Sequence, residues 1–371
     1  MKPGIDLSKY FSFKRILVPL ILGLGVAIYF LYTDGFYRDE LNQIHWGQHV
    51  LIWIIASVIM MVLRDFGYMW RLRILTDKQL SWRQCFEIIV LWEFASAISP
   101  GAIGGTAAAV VIMAQEKIRT GMTTAIVLVT SFLDELFYIL MVPILFIFIG
   151  TDDLFPTFDG TGFDLIVNTT NLKVLFYGGY AFLFAWTVFL ALALFIRPQM
   201  VRGILLGILA FRPLRKFRAR GRQLANDLLH SSIELKSKGW RFWFKAFFST
   251  GLTWTARFLV VNCLLVAFGV FDDHLVIYAR QLIMWVILLI AITPGGSGVA
   301  EVLFPSFLGN YLPSRQIARM VSILWRMISY YPYIFLGFIV LPMWVRRVNL
   351  YQKIRLFKGF RGKEINESDP V

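Results

Sequence analysis

Apolar residues along this chain fall into long runs separated by short charged stretches. A helix needs about 20 apolar residues to cross the hydrocarbon core of a bilayer. Six runs of roughly that length or more read as full spans, at residues 16–33, 50–70, 121–150, 174–196, 243–269 and 317–345. Two further runs are interrupted. One occupies 86–99, breaks at Pro100-Gly101-Ala102-Ile103-Gly104-Gly105, and resumes to Gln115. The other occupies 275–293, breaks at Pro294-Gly295-Gly296-Ser297-Gly298, and resumes to about Asn310. Proline removes a helix donor and glycine frees the backbone. At 1.5 Å per residue, most of the resulting arms are too short to cross the bilayer and return. The pattern predicts an all-α polytopic membrane protein, with six full spans and two Pro/Gly-broken re-entrant hairpins. The run at 16–33 lacks a small-residue cleavage site, so it reads as a retained helix.

Charge gives the spans an orientation. Short loops rich in Lys and Arg stay on the cytoplasmic side. Lys2, Lys9, Lys14 and Arg15 put the N-terminus there, and Arg71, Arg73, Lys78 and Arg83 follow the second span on the same side. Lys117 and Arg119 return to it after the first broken run, which therefore dips in from the cytoplasm. The acidic loop with Asp152, Asp153, Asp159 and Asp164 is then external, as are Asp272 and Asp273, so the second broken run dips in from outside. Arg346, Arg347, Lys353, Arg355 and Lys358 put the C-terminus inside; Arg315 and Arg319 are a discordant pair.

Each half then reads as span, span, broken hairpin, span, with the second half upside down. The expected division is 1–150 and 151–345, the latter holding a basic cytoplasmic linker at 197–242, followed by a basic tail at 346–371. Spacings agree: Arg64 stands 36 residues before Pro100 and Arg257 37 before Pro294, while Asp134 stands 34 after Pro100 and Arg326 32 after Pro294. Inverted repeats whose broken helices meet near the midplane are a common transporter architecture. Irregular backbone at that depth is tolerated only inside protein or beside a wet cavity. Helices starting after Gly104-Gly105 and Gly295-Gly296 would aim N–H groups at an anion such as phosphate.

Several ionisable residues lie inside apolar runs: Arg64 and Asp65, Glu93, Asp134 and Glu135, Arg257, Glu301 and Arg326. Each costs about 2.5–3.5 kcal/mol at the bilayer centre on insertion scales, so they should pair or face water. Arg257 and Arg326 are candidate ligands for a lipid phosphate, since guanidinium is a planar, permanently charged, bidentate donor. Asp134, Glu135 and Glu301 are candidates to neutralise them, or to take a proton or a cationic headgroup. Plainer roles compete. Arg64 and Asp65 fit snorkelling or a local pair, Glu93 fits backbone capping, Asp134, Glu135 and Arg326 fit a structural salt bridge, and Glu301 fits a helix-start carboxylate. The glycines serve backbone geometry first and substrate approach second.

Composition sharpens this. Apolar residues make up 58% and charged ones 16%, against roughly 45–50% and about 25% in soluble domains. The net charge of +14 sits between the spans, which suits topology and anionic lipid rather than nucleic acid. Among the basic residues of 197–245, Leu224, Leu228, Leu229, Ile233 and Leu235 recur at near-helical spacing, as in a helix lying on headgroups. Phe and Trp read mostly as a lipid-facing and interfacial belt. Cys85 and Cys263 show neither disulfide nor metal spacing. Motifs for zinc hydrolysis, a serine nucleophile or a phosphate-binding loop are missing, and no strand precedes the Gly-rich turns as dinucleotide binding requires. No catalytic residue, metal or cofactor is expected.

Thr293-Pro294-Gly295-Gly296-Ser297-Gly298-Val299-Ala300-Glu301 resembles the Pro-Gly-Gly-x-Gly-x-x-Glu motif of the lysylphosphatidylglycerol synthase transmembrane-region family. Ser99 to Gly105 resembles that family's first-half turn, and Arg71-Leu72-Arg73-Ile74-Leu75 is similar as well. The resemblance implies a flippase-like domain for an anionic, aminoacylated or polyprenyl-linked lipid; related members serve hopanoid or polyprenyl-phosphate glycolipid pathways. Bifunctional members carry a soluble synthase domain after this region. The chain stops at Val371, so that activity is expected to be absent. Ser297, and Ala300 where some members carry Arg, depart from the pattern and bear on the headgroup.

The expectation is a non-enzymatic lipid transporter of the bacterial inner membrane, both termini cytoplasmic. Its headgroup path would be lined by Arg257, Arg326, Asp134, Glu135, Glu301, Glu93, Arg64, Gly104, Gly105, Gly295 and Gly296. Alternatives are an ion- or proton-coupled transporter of a small soluble solute and a non-catalytic partner of a lipid-modifying enzyme. Membrane lipids are the expected partners, nucleic acid is not, and a homo-oligomer is left open.

Overall fold

A computed structural model describes residues 47–99, 101–116, 118–151, 153–156, 169–208, 218–289 and 293–366. The span expected at 16–33 lies outside them. All regular structure among the described residues is helical. The helices are α1 (Gln48–Leu75), α2 (Trp82–Ile98), α3 (Gly101–Gln115), α4 (Thr120–Ile149), α5 (Thr169–Ala191), α6 (Pro198–Ile208), α7 (Arg218–Lys236), α8 (Trp240–Ala267), α9 (His274–Leu288), α10 (Val299–Leu308), α11 (Arg315–Ser329) and α12 (Tyr331–Asn366). A π-helical turn, Leu192–Ile196, closes α5. Among the described residues, five stretches are long and apolar enough to cross a membrane: α1, α4, α5 with its π turn, α8, and the run Arg315–Asn349. Large apolar side chains point outward, among them Leu51, Ile147, Phe148, Phe182 and Phe335 at 60–81% exposure. A soluble monomer rarely shows so much apolar surface; lipid is the solvent that accepts it.

α8 is the central helix. Of its apolar window 72% is buried, against 28–33% for the other four stretches. It runs antiparallel to α1, because His49 meets the Val266 carbonyl while Arg71 meets Thr250. Gly67 sets how close they come: a Cβ there would collide with the Thr253 hydroxyl and sit 3.2 Å from the Ser249 carbonyl. Small and hydroxylated residues at such contacts let membrane helices approach tightly.

Both interrupted runs fold as hairpins that enter and leave on one side. The feet of α2 and α3 are tied by Gln84 Nε2 donating to Glu116 Oε2 at 2.7 Å. Ser81 starts α2 with a reciprocal cap, its hydroxyl on Gln84 N–H and the Gln84 amide oxygen on Ser81 N–H. The feet of α9 and α10 are tied by Arg280, which donates to the carbonyls of Asp153 and Phe307 at 2.8 and 3.1 Å. The hairpins come from opposite ends of the bundle. α2 and α3 pack into an apolar cluster with Leu72, Met122, Ala246 and Trp344, whereas α9 and α10 pack into another with Phe137, Phe258 and Ile317. Arg73, Lys78, Arg119, Lys238 and Arg347 gather at the first end, and Asp153, Asp272 and Asp273 at the second.

Three local features differ from the sequence expectation. The first break is narrower than the glycine run: α3 begins at Gly101, so Gly104 and Gly105 are helical. They serve the hairpin's close approach, since a Cβ on Gly105 would overlap Ser96 and one on Gly104 would overlap Ser99. The run 317–345 is broken at Tyr330, where α11 ends and α12 begins with Pro332 in its first turn; hydropathy averaged over the run covers the break. Third, α7 turns Ala225, Leu228 and Leu235 into protein, packing on α4 and α6, rather than laying that face on headgroups. Gly121 of α4 touches Asp227 too closely for any side chain. Ile233 alone of the five apolar residues at helical spacing stays open, at 49% exposure.

Candidate functional site in the polar layer

The two apolar clusters divide the long helices between them and leave a polar layer in the middle. On α1, Met61 belongs to one cluster and Leu72 to the other, with Arg64, Tyr68 and Arg71 between. On α4, Asp134 and Glu135 separate Leu133 from Phe137; on α8, Ser249, Thr250 and Thr253 separate Ala246 from Trp254. Positions 64, 68 and 71 share one helix face, so α1 presents two arginines to the same space.

Arg64 is fully buried and does not snorkel. Its guanidinium donates to Asp65 at 3.0 Å and to Glu93 of α2, and lies 4.8 Å over the Tyr68 ring and 5.1 Å over Tyr333. Tyr333 of α12 donates to the second Asp65 oxygen at 2.6 Å. Arg71 grips both oxygens of Asp134 and donates to Thr250 at 3.0 Å. Trp254 adds its indole N–H to Asp134 at 2.8 Å. A fork-on-carboxylate pair of this kind is strong and directional.

Arg257 is held differently. Its guanidinium lies between two indoles, 5.1 Å from Trp254 and 4.7 Å from Trp285. Its ionic contact among the described residues is a 3.7 Å approach to Glu93, which Arg64 already occupies. Its buried Nε has no acceptor. Glu93 thus receives both Arg64 and Arg257, the two arginines at matching positions ahead of the two Pro-Gly turns. Beside them is a cavity of about 90 Å³ lined by Tyr68, Arg71, Leu72, Ile89, Trp92, Glu93, Thr130 and Asp134, room for several waters.

Arg326 and Glu301 form a centre of their own. Arg326 Nε donates to Glu301 Oε1 at 2.9 Å, and Nη2 donates to the Gly295 carbonyl and Ser297 Oγ, both at 3.1 Å. The Tyr330 ring lies 3.8 Å from the guanidinium. The other Glu301 oxygen accepts the Gly298 N–H at 2.7 Å, so the start of α10 is capped by its own carboxylate. Gly295, Gly296 and Gly298 adopt φ of +58°, +67° and +86°, which glycine reaches without strain. A Cβ on Gly295 would strike Tyr330. Tyr330 also donates to the Ala97 carbonyl at 3.0 Å while accepting from Ser297, joining the tips of the two hairpins.

Of the residues singled out from sequence, the structure brings Arg64, Glu93, Arg257 and Asp134 into the polar layer and sets Arg326 and Glu301 at the hairpin tips. Glu135 faces the other side of α4, against Thr187 of α5. Asp134 pairs with Arg71, which in the sequence marks sidedness and carries part of the family resemblance but is not among the candidate site residues. Its seven-residue spacing from Arg64, two helical turns, was the available signal. Trp254, Trp285, Tyr68, Tyr330 and Tyr333 carry no such signal, since aromatic residues are abundant throughout the chain.

Residues 16–337 match the family described as lysylphosphatidylglycerol synthase TM region. The chain belongs to that family. It is an integral multi-pass membrane protein, and the family match spans both hairpins and the polar layer between them. It is similar to a "UPF0104 membrane protein" of Archaeoglobus fulgidus, 26% identical over 337 residues, which cover 86% of this chain and 94% of the relative. No solved structure matches significantly.

Proposed function

We propose that this protein passes an anionic lipid, aminoacylated or polyprenyl-linked, between the leaflets of the inner membrane, with both termini cytoplasmic. The observation that carries this reading is Arg257: a permanently charged group in the middle of a central helix, held by indole faces rather than by a carboxylate of its own. A lipid phosphate is the partner its free donors fit. Arg71 is held by both Asp134 oxygens and Thr250, and Arg64 is paired with Asp65 and Glu93 although its buried Nε also lacks an acceptor; both hold the layer's shape. Tryptophan faces and an already shared Glu93 keep Arg257 in place without satisfying it, so a headgroup has little to displace.

Support also comes from the hairpins. They enter from opposite ends and meet through Tyr330, as expected of two inverted repeats around one site. The cavity is too small for a lipid headgroup, so passage needs the hairpin tips to part. Tyr330 and its bonds to Ala97 and Ser297 are where that parting would begin. No covalent step is assigned to any residue. The test is sealed proteoliposomes carrying a headgroup-labelled anionic lipid. Faster loss of inner-leaflet protection than in protein-free vesicles supports the reading. Uptake of a soluble anion without lipid movement replaces it with solute transport, and neither movement overturns it.

A further inference from the structure

Glu135 has no part in the polar layer. It lies on α4 next to Asp134 in sequence, but points toward α5 while Asp134 points toward α1 and α8. No cation pairs with it among the described residues. The charged group acting on it is Asp134, of its own sign, which Arg71 already neutralises, and the Trp186 indole N–H of α5 offers it a hydrogen bond. From the other elements packed on α4, the ionisable side chains in this half of the bundle include Lys173 and Tyr180 of α5, Arg257 of α8, and Tyr278 and Arg280 of α9; Lys173 lies over the Phe155 ring and Arg280 donates to the Asp153 and Phe307 carbonyls. Tyr180 donates to the Ile139 carbonyl, Arg257 is stacked between indoles, and Tyr278 meets Thr255 at 3.3 Å.

The other contact is with Thr187. Thr187 Oγ1 is 2.8 Å from the Leu183 carbonyl and 3.3 Å from Glu135 Oε2. A threonine hydroxyl carries one proton. With that proton on the shorter bond, the contact to Glu135 becomes a full hydrogen bond when the carboxyl itself is protonated and donates to the hydroxyl oxygen. An ionised carboxylate there would have no counter-ion, only the Trp186 indole N–H and a shared hydroxyl to face it in an apolar span, which membrane interiors disfavour. Nearby, α4 and α5 hold two weak points in their ladders, Pro143 and the π turn Leu192–Ile196. Such interruptions are common where helices flex or act.

We propose that Glu135 is a proton-binding site at the α4–α5 interface, separate from the headgroup site. The proton comes from water on one side of the membrane and returns to water when the interface opens; no other bond is made or broken. The test is infrared difference spectroscopy of the purified full-length protein across a pH step. The wild type is expected to show a protonated-carboxyl band that disappears as pH rises, and Glu135→Gln is expected to lose it. An unchanged difference spectrum in Glu135→Gln overturns the proposal. If Glu135→Gln does not fold, Thr187→Val decides: a displaced titration supports the site, and an identical one overturns it. Because the readout needs no lipid movement, it stands or falls apart from the transport assay.

Discussion

At the scale of single residues, the buried charges divide into groups that are satisfied and groups that are not. Arg326 is satisfied, with Glu301, the Gly295 carbonyl and Ser297 filling its donors. Breaking a buried pair leaves an uncompensated charge and costs about 3–5 kcal/mol. Glu301→Gln is therefore expected to destabilise the protein by about that much, read as a lowered thermal unfolding midpoint in detergent; an unchanged midpoint would show that the pair holds nothing. Its structural role was half legible in sequence. Pro294 to Glu301 marked a turn with a helix-start carboxylate, but Arg326, 25 residues further on, gave no sign of which carboxylate it would meet. Mid-span charge shows that a partner is needed and leaves its identity to packing. Asp134 illustrates the same limit, since its partner Arg71 looked like one more flanking basic residue.

At the scale of elements, proline and glycine were readable as punctuation, and their consequences were not. Pro143 lacks an N–H, so the Ile139 carbonyl loses its partner one turn back. Tyr180 of α5 supplies the missing donor at 3.1 Å. Tyr180→Phe should cost about 1 kcal/mol, the usual worth of one such bond, and should do so only while Pro143 is present. In a Pro143→Ala background the Tyr180→Phe loss is expected to shrink, and an equal loss in both backgrounds would contradict the account. Gly104 and Gly105 show the opposite failure. They were read as part of the break, yet they are helical, because a missing Cβ serves close packing as well as turning. The break at Tyr330 does carry a mark in the sequence, Ser329-Tyr330-Tyr331-Pro332, since proline fits the first turn of a new helix, but the apolar average over the whole run covers it.

At the scale of the whole molecule, the charge pattern was the most legible feature. Loops at the two ends differ in sign, and the two hairpins follow that difference. At the basic end Glu116, in the turn after α3 and outside the spans, is held to α2 by Gln84 and ties the first hairpin to α12 through Arg347 and Trp344. Burial pushes its carboxyl up, but hydrogen bonds from Arg347, Gln84 and Trp344 outweigh that and hold it below the usual glutamate range. A carboxyl lowered by folding stabilises the protein above its unfolded-state value, and that contribution is lost as pH falls through the folded one. Acidification below the ordinary glutamate range is expected to lower the unfolding midpoint, and Glu116→Gln to flatten that acid limb. An acid limb unchanged in the variant would place the loss elsewhere.

The central claim is that Arg257 meets the travelling headgroup while the other buried arginines hold the frame. Movement of a labelled anionic lipid by Arg257→Gln and by wild type, in proteoliposomes of equal protein content, tests it most directly. Losing one charged contact in the passage is expected to slow transport at least about tenfold, equivalent to 1.4 kcal/mol, with the unfolding midpoint kept. Equal rates for the two proteins would contradict the claim.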